Sequence, residues 1–230
     1  MRLCSKGPVA LAAAAALALV AGCDAYVKGN GVYTEDYRAK PEFQGVRVEN
    51  GIQIVATSGV TLQPVKVTGD ANVVELIETD VEPQLVGTTT EIRVLHVHVR
   101  VGYDAIITPQ VVVSVPSFTY VRARDASPVQ VNQAAAVTFS VDASDTAVVT
   151  IVGAGGDAIE AKLGGESLLE ATEYLTTSAH VDLAGHATAN LDSSGPVTGT
   201  VANDSTLRNF GTGHCDEVQK TSGNPTVTCN

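Results

Sequence analysis

The sequence has no tryptophan, and only four phenylalanines and six tyrosines occur among its 230 residues. A core with so few large rings must be built from small side chains, and Ala, Val, Thr and Gly are abundant throughout the chain. Positive charge is also scarce, since 14 Lys and Arg stand against 25 Asp and Glu. Proteins that bind nucleic acid carry basic patches, so this composition argues against a nucleic-acid partner.

The short motifs of common catalytic sites are missing as well. The sequence contains no Gly-x-Ser-x-Gly elbow, no His-Glu-x-x-His and no Walker loop. Residues 148–158 do run from an apolar stretch into Gly-x-Gly-x-x-Ala, as a dinucleotide-binding turn would. Their β-rich flanks oppose that interpretation, because a dinucleotide fold alternates strands with helices. We therefore expect no enzyme activity and no cofactor.

One long apolar run lies at the start of the chain. Arg2 and Lys6 precede residues 9–20, which are almost wholly Ala, Leu and Val. These parts have the order and size of a secretory signal, and the run is shorter than the roughly 20 residues of a spanning helix. It leads into Leu-Val-Ala-Gly-Cys at 19–23, which resembles a bacterial lipobox. The resemblance implies cleavage before Cys23 and a diacylglyceryl thioether on its sulfur.

These features predict how the chain is divided. Residues 1–22 form a cleaved lipoprotein signal peptide, residues 23–30 a lipidated linker and residues 31–230 a single β-rich domain. Without the two basic residues of the signal, 12 Lys and Arg remain against 25 Asp and Glu, a formal charge of −13. A chain this acidic gains nothing from anionic headgroups, so the lipid must provide the anchor.

The predicted location is the bacterial cell envelope, on the periplasmic face or the cell surface, with the membrane as a partner through the lipid. One acyl chain binds a bilayer only marginally, but lipoproteins of this kind carry two or three. Asp24 resembles an inner-membrane retention signal used by some bacteria, and the choice between inner and outer membrane stays open.

The cysteines predict one disulfide. Cys4 leaves with the signal, and acylation of Cys23 leaves two thiols, Cys215 and Cys229. In an oxidising compartment two remaining cysteines usually pair. The bridge would close a short C-terminal loop and stabilise it by roughly 3 kcal/mol. Redox-active pairs usually have the closer Cys-x-x-Cys spacing, so we expect a structural role.

From Gly45 onward, short β-rich runs are separated by Gly, Asp, Asn, Ser and Pro. Residues 45–55 alternate apolar and polar side chains with the period of a half-buried strand. Similar runs occupy 65–67, 92–99 and 110–115, and Pro116 ends the last of them.

Residues 71–82 break this trend. Their apolar positions, Val73, Val74, Ile77 and Val81, have helical spacing, and Asp70 is a good N-cap residue. The pattern predicts one short helix here.

The second half of the chain carries a loose repeat. Comparable runs follow one another about every ten residues, or about every twenty when alternate runs are matched, as in solenoids. A β-sandwich also has strands every 8–12 residues, but it more often has larger core aromatics. We therefore predict an all-β fold and favour a solenoid. The runs are 120–123, 137–141, 148–152, 158–161, 180–183, 188–191 and 197–201.

Three segments near the N-terminus resemble one family of envelope proteins. They are Glu-Asn-Gly-Ile-Gln-Ile-Val at 49–55, Val-Lys-Val-Thr-Gly-Asp at 65–70 and Asn-Val-Val-Glu-Leu-Ile-Glu-Thr-Asp-Val-Glu at 72–82. Their order resembles the opening of the putative auto-transporter adhesin, head GIN domain family.

Later segments extend the resemblance to about residues 31–229. The glycine-rich corner at 153–157 matches the family's coil corners, 183–187 matches less closely, and 222–227 is similar to its closing Gly-Asn-Pro stretch. The resemblance implies a right-handed β-helix-like solenoid, an adhesive role and no catalytic residues.

Two histidines were considered as metal ligands. His96 and His98 lie two apart in a predicted strand, so both point to one face. They could hold Zn²⁺ or Cu²⁺ with a third ligand such as Asp104. A solvated strand face that happens to carry two histidines is the favoured interpretation, and we predict no metal site.

Two acidic segments were considered as Ca²⁺ sites. Four carboxylates lie within 75–82 and two within 142–145, but neither segment has the ligand spacing of a known calcium loop. Solvated acidic faces are the favoured interpretation for both.

The favoured function is a non-enzymatic, lipid-anchored envelope protein with an adhesion or scaffolding role, whose partner is an envelope or extracellular protein or glycan. The alternative is a polysaccharide-active β-helix enzyme that uses clustered carboxylates. A groove with clustered carboxylates and exposed aromatics would favour the enzyme, whereas flat ladders of Thr, Ser and Asn would favour the binding protein.

Overall fold

The computed structural model describes residues 26–86 and 90–230, and this part of the chain is all-β with a single short helix. The predicted signal peptide and Cys23 lie outside the described residues. Within them, no helix is long and apolar enough to cross a membrane.

The first ten strands and the helix lead into the regular repeat, which begins at β10. They are β1 (Tyr26–Lys28), β2 (Tyr33–Arg38), β3 (Gly45–Val48), β4 (Gln53–Thr57), β5 (Val65–Asp70), α1 (Ala71–Val74), β6 (Ile77–Val86), β7 (Thr90–Val99), β8 (Gly102–Asp104), β9 (Gln110–Ser114) and β10 (Tyr120–Ala123). The remaining strands are β11 (Pro128–Ala134), β12 (Thr138–Ala143), β13 (Val148–Gly153), β14 (Gly156–Leu163), β15 (Leu168–Leu183), β16 (Thr188–Ser193), β17 (Val197–Val201), β18 (Thr206–Asn209), β19 (Glu217–Lys220) and β20 (Thr226–Cys229).

From β10 to β20 the chain winds through about six turns of a β-solenoid. Each turn adds one strand to each of two faces, which we call face A and face B. Face A contains β7, β3, β10, β12, β14, the second half of β15, β17 and β19 in spatial order. Face B contains β2, β5, β9, β4, β11, β13, the first half of β15, β16, β18 and β20.

The predicted twenty-residue spacing is the length of one turn. Tyr120 pairs in parallel with Ser140, Ser140 with Glu160, and Glu160 with His180. Residues twenty apart therefore stack directly above one another, which confirms the solenoid predicted from the repeat.

The core lies between the two faces and is made of stacked small side chains. Val121, Val141, Ala161 and Val181 occupy successive turns at one inward position, and all are buried. Because each turn places its side chain directly on the one below, small residues can fill the row. This explains how the chain folds with so few aromatic residues.

The corners between face A and face B follow an equally simple rule. At the corner that leads from face A to face B, each turn places a residue with positive φ, and these corner residues are Gly, Asn or Asp, the types that tolerate a left-handed backbone. At Gly165 a Cβ atom would also lie 2.7 Å from the backbone oxygen of Asp145 in the turn below. The corner residues are Asn50, Asp125, Asp145, Gly165, Gly185, Asn203 and Gly223.

The N-terminal end of the solenoid is capped by antiparallel strands. β5 pairs antiparallel with β9, and β2 pairs antiparallel with β5. β6 pairs antiparallel with β7, which is the first strand of face A. Strands that reverse direction close the end of a parallel stack and limit further pairing there.

The predicted helix over 71–82 is mostly wrong. Only Ala71–Val74 is helical, and Ile77–Val86 is strand β6. Ile77 and Val81 satisfy a strand as well as a helix because they lie on alternate positions, and Thr79 between them is buried against β7. Long-range pairing with β7 therefore decides the structure of this segment.

Asp70 occupies the predicted N-cap position, but its side chain makes no capping hydrogen bond. The carboxylate is fully buried and instead accepts hydrogen bonds from the backbone N–H groups of Gly31, Ile106 and Ile107, at 2.6, 2.7 and 3.0 Å. Asp70 thus joins the N-terminal segment to the loop that precedes β9.

The C-terminal end carries the predicted disulfide between Cys215 and Cys229. Cys229 lies in β20, the last strand of face B, and Cys215 packs against the core just before β19. The bridge therefore ties together the two ends of the last turn.

Replacing both cysteines with serine should loosen this turn locally. The loop-entropy model gives the bridge roughly 3 kcal/mol, and residues 217–229 should lose about that much protection against amide hydrogen exchange. Exchange in β12 and β14 should not change, since those strands lie several turns away. Reduction of the wild-type protein should reproduce the effect, and unchanged exchange in 217–229 would contradict it.

Candidate binding groove on face A

A groove of about 380 Å³ runs across the middle of face A. Its floor consists of outward-facing side chains from β10, β12, β14 and β15, and its wall is the β6–β7 hairpin, through Gln84, Leu85 and Val86. A second cavity of about 540 Å³ adjoins it along the same face and shares several charged residues with it. A cavity of this size is within the range of ligand sites.

Two rows of side chains form the floor. The first row is Tyr120, Ser140, Glu160 and His180, and the second is Arg122, Asp142, Lys162 and Asp182. Neighbouring strands in a sheet are about 4.8 Å apart, so the second row alternates positive and negative charges at that interval. The groove therefore presents both charges to a ligand in a fixed order.

Several of these charges are already paired within the protein. Arg124 donates to both carboxylate oxygens of Asp142 at 3.1 Å, and Arg122 Nε lies 3.5 Å from Asp142 Oδ2. Asp182 accepts a hydrogen bond of 2.6 Å from Thr200 and lies 3.7 Å from His180. These contacts hold the two aspartates in place.

Lys162 and Glu160 differ from their neighbours. Both line the groove, and neither makes an ion pair within 4 Å with any residue that the structure describes. They lie two apart on β14, so both point outward. One unpaired cation and one unpaired anion are thus available to a ligand at the centre of the groove.

The hairpin wall contributes apolar surface. Leu85 is 62% exposed and faces the charged floor together with Val86. Tyr120, the aromatic residue of the floor, is only 6% exposed. The groove therefore offers charge and aliphatic contact, but no exposed ring on which a sugar could stack.

The two histidines considered as metal ligands lie at the base of this hairpin. His96 and His98 are stacked on β7, with ring centroids 4.2 Å apart and planes inclined by 17°. Asp104 lies in β8, which pairs with β1 and not with the strands around β7. Among residues 26–86 and 90–230, no group of three His, Cys, Asp or Glu side chains could hold a metal ion.

Burial lowers the pKa of His96, and the positive charges of His98 and Arg47 lower it further. The carboxylates of Glu82 and Glu49 act in the opposite direction but do not outweigh these causes. His96 therefore favours the neutral form, and its stacking on His98 gives the pair a packing role at the hairpin base.

The acidic segments are ordinary surface features in the structure. Glu78 lies 3.3 Å from His98 and 2.9 Å from Arg100 across the hairpin. Asp142 belongs to the second row of the groove, and Asp145 is a corner residue that accepts a hydrogen bond from Ser144 at 2.7 Å. The two aspartates therefore serve different parts of the fold.

The groove brings together Asp142, Glu160 and Asp182, the carboxylates on which the alternative function would depend. The alternative function needs one carboxyl group that stays protonated. Asp142 contacts Arg122 and Arg124, and Asp182 accepts a hydrogen bond from Thr200, so protein groups already engage both of these carboxylates.

Part of this site could be predicted from the sequence. Arg122, Asp142, Lys162 and Asp182 are spaced by twenty residues, which is the length of the repeat, so their stacking on one face follows from the spacing. The wall could not be predicted, because the apolar spacing of residues 71–82 indicates a helix, whereas Ile77–Val86 is strand β6 of the hairpin.

Face B has a different character. Its outer surface includes a row of threonines, Thr188, Thr206 and Thr226, and amide side chains such as Gln130 and Asn190. Face B also carries carboxylates, among them Glu170, which accepts a hydrogen bond from Asn190, and Glu35 on β2.

Comparison with solved structures supports the fold. A putative adhesin from Bacteroides fragilis superposes with a TM-score of 0.65 at 12% identity, covering 89% of this chain and all of that chain. A putative adhesin from Parabacteroides distasonis gives a TM-score of 0.49 at 14% identity, covering 90% of this chain and all of that chain, and this lower score adds no support. At these identities the likeness concerns the fold alone.

Comparison of the sequence with curated proteins gives no significant match. Comparison with protein families does give one, to the putative auto-transporter adhesin, head GIN domain, over residues 42–213. The match covers more than half of the chain and includes the strands that form the groove, and the chain therefore belongs to the putative auto-transporter adhesin, head GIN domain family.

Proposed function

We propose that this protein is a lipid-anchored, non-enzymatic adhesin of the bacterial cell envelope that holds its partner in the groove on face A. The groove is the observation that carries the proposal, because it combines a built wall with unpaired charges on a rigid floor. Family membership supports an adhesive role at the envelope or cell surface. The lipobox at 19–23 supports anchoring through Cys23.

The chemistry of the groove selects the kind of partner. Lys162 attracts an anionic group, Glu160 attracts a cationic one, and Leu85 offers aliphatic contact. A partner that carries both charges and some apolar surface fits these features. Ordered charges on a rigid surface contribute to specificity and to the rate of association more than to affinity alone.

Charge reversal at Lys162 should weaken adhesion. In the Lys162→Glu variant two glutamates would face the partner from the same strand, and like charges at an interface cost several kcal/mol. We expect binding to fall by about tenfold or more. The measurement is binding of the purified protein to immobilised matrix proteins, envelope proteins and charged polysaccharides, followed by titration of the tightest ligand.

Arg208→Glu is the matched control. It makes the same change of charge on exposed β18 of face B, away from the groove. The control should bind like the wild type. Equal loss in both variants, or no loss in Lys162→Glu, would refute a role for the groove.

A further inference from the structure

A second surface, on β2 at the N-terminal end of face B, has features that the groove lacks. Tyr33, Glu35 and Tyr37 alternate along β2 and so point to the same side of the strand. Tyr33 is 57% exposed and Tyr37 is 62% exposed. Residues four apart on a strand are separated by about 13 Å, so the three side chains form an extended strip.

Glu35 fixes both rings. The hydroxyl of Tyr33 donates to Oε1 of Glu35 at 2.6 Å, and the hydroxyl of Tyr37 donates to Oε2 at 2.8 Å. These hydrogen bonds lower the pKa of Glu35, so the carboxylate stays ionised and keeps both acceptors. Two exposed rings are thereby held in defined positions before any ligand arrives, which reduces the entropy lost on binding.

The surroundings of the strip are electrically balanced. Lys66 lies on the adjacent strand β5, opposite Tyr37 of β2. Its Nζ is 3.6 Å from the carboxylate of Glu35. The next positions along this part of face B are Thr68, opposite Glu35, and Gln110, opposite Thr68. The strip thus combines two rings and one neutralised ion pair with hydroxyl and amide groups.

The strip is also accessible. β2 pairs with β5, and within the described residues no strand pairs with its other edge. A ligand can therefore approach the rings from above and from the open side.

We propose that the strip of Tyr33, Glu35 and Tyr37 binds a neutral polysaccharide. Tyrosine presents a large, rigid apolar face with a polar edge, which suits the C–H face and the hydroxyl rim of a sugar. Glu35 and Lys66 can hydrogen-bond to sugar hydroxyls, while the cancellation of their charges gives no advantage to an anionic or cationic chain. The site lies on face B and does not depend on the groove.

Affinity electrophoresis provides the test, with the mature protein kept in detergent with its lipid. Dextran, mannan and galactan serve as neutral probes, and alginate and hyaluronan as anionic ones. We expect at least one neutral polysaccharide to retard the protein. Tyr33→Ala/Tyr37→Ala should weaken that interaction by roughly tenfold to a hundredfold, since two rings lose their contacts.

Two further variants separate the proposed contact from a change in structure. Tyr33→Phe/Tyr37→Phe keeps both rings and should weaken binding by less than the alanine pair does. Tyr26→Ala removes another exposed tyrosine, on β1, and should leave binding unchanged.

Three results would overturn the proposal. They are retardation by none of the neutral probes, neutral binding that survives Tyr33→Ala/Tyr37→Ala, and an equal loss in Tyr26→Ala. A protein ligand whose binding depends on the two tyrosines, with no dependence for any polysaccharide, would also overturn it and would identify the strip as a protein contact.

Discussion

Replacing Cys23 with serine will abolish labelling of the protein by palmitate and release it from membranes. Serine has no thiol on which a diacylglyceryl thioether can form. Each buried CH₂ of an acyl chain contributes about 0.8 kcal/mol to membrane binding, so the loss of two or three chains removes essentially all of the predicted affinity. The membrane-bound fraction should fall from nearly all of the protein to background.

Fractionation of cells and incorporation of labelled palmitate measure this effect. Cys4→Ser is the matched control, because Cys4 lies within the predicted signal and should affect neither quantity. A version with an ordinary cleavable signal placed directly before Asp24 distinguishes loss of the lipid from retention of an uncleaved signal. Continued membrane retention of that version, or continued labelling of Cys23→Ser, would show that the anchor is elsewhere.

Anchoring at Cys23 would place both binding surfaces close to a membrane. The described chain begins at Tyr26, in β1, so few residues separate the predicted lipid from the capped end of the solenoid. The strip on β2 belongs to this capped end, whereas the groove lies further along the stack on face A. We infer that, of these two surfaces, the groove lies further from the membrane.

The repeat was predictable because its signal is local. In-and-out alternation of small apolar residues marks each strand, and 120–123 coincides with β10. The turn length follows from the spacing of these runs, so stacking of residues twenty apart could be foreseen. Corner residues could be predicted in part, since the expected corners at 153–157 and 183–187 contain Gly155 and Gly185, both of which have a positive φ.

The capped end was not predictable in the same way. The segment 71–82 has a pattern that fits a helix, and only its pairing with β7, which lies later in the chain, makes 77–86 a strand. The turn formed by β7 and β9 also stacks outside that of β3 and β4, although it follows them in sequence. No local sequence pattern indicates this reversed stacking order, and the position of the hairpin wall depends on it.

The sequence also did not show which tyrosines are exposed. The count of aromatic residues is low, but a count does not say where the rings lie. Tyr103, Tyr120 and Tyr174 are largely enclosed, whereas Tyr33 and Tyr37 share one exposed strip. Two rings in the right place are sufficient for a binding surface, even when the chain has few.

Asp70 links two segments of the capped end. Its buried carboxylate accepts hydrogen bonds from Gly31, Ile106 and Ile107, which belong to two segments far apart in sequence. Burial alone would raise the pKa of Asp70, but the N–H groups of Ile107, Ile106 and Gly31 outweigh it and hold the pKa below its usual value. The ionised form is therefore the one that the fold stabilises.

Asp70→Asn should lower the melting temperature at neutral pH by about 10 °C. The three buried backbone N–H groups would lose a charged acceptor, and the NH₂ group of the new amide would face at least one of these donors. The acid dependence should also change. A carboxyl whose pKa is lower in the folded state contributes stability above its unfolded pKa of about 3.9 and loses it as pH falls through the folded pKa. The difference between wild type and variant should therefore shrink as pH drops from about 5 to 2.

Calorimetric melting across this pH range provides the measurement, and Asp216→Asn provides the control. Asp216 is exposed at the opposite end of the solenoid, so the same substitution there should shift melting little at any pH. A stability difference for Asp70→Asn that does not depend on pH would show that the shape of the Asp70 side chain, not its charge, stabilises the capped end. No difference at all would mean that the capped end is closed by β2 and β5 alone, without the link that Asp70 provides between the N-terminal segment and the loop before β9.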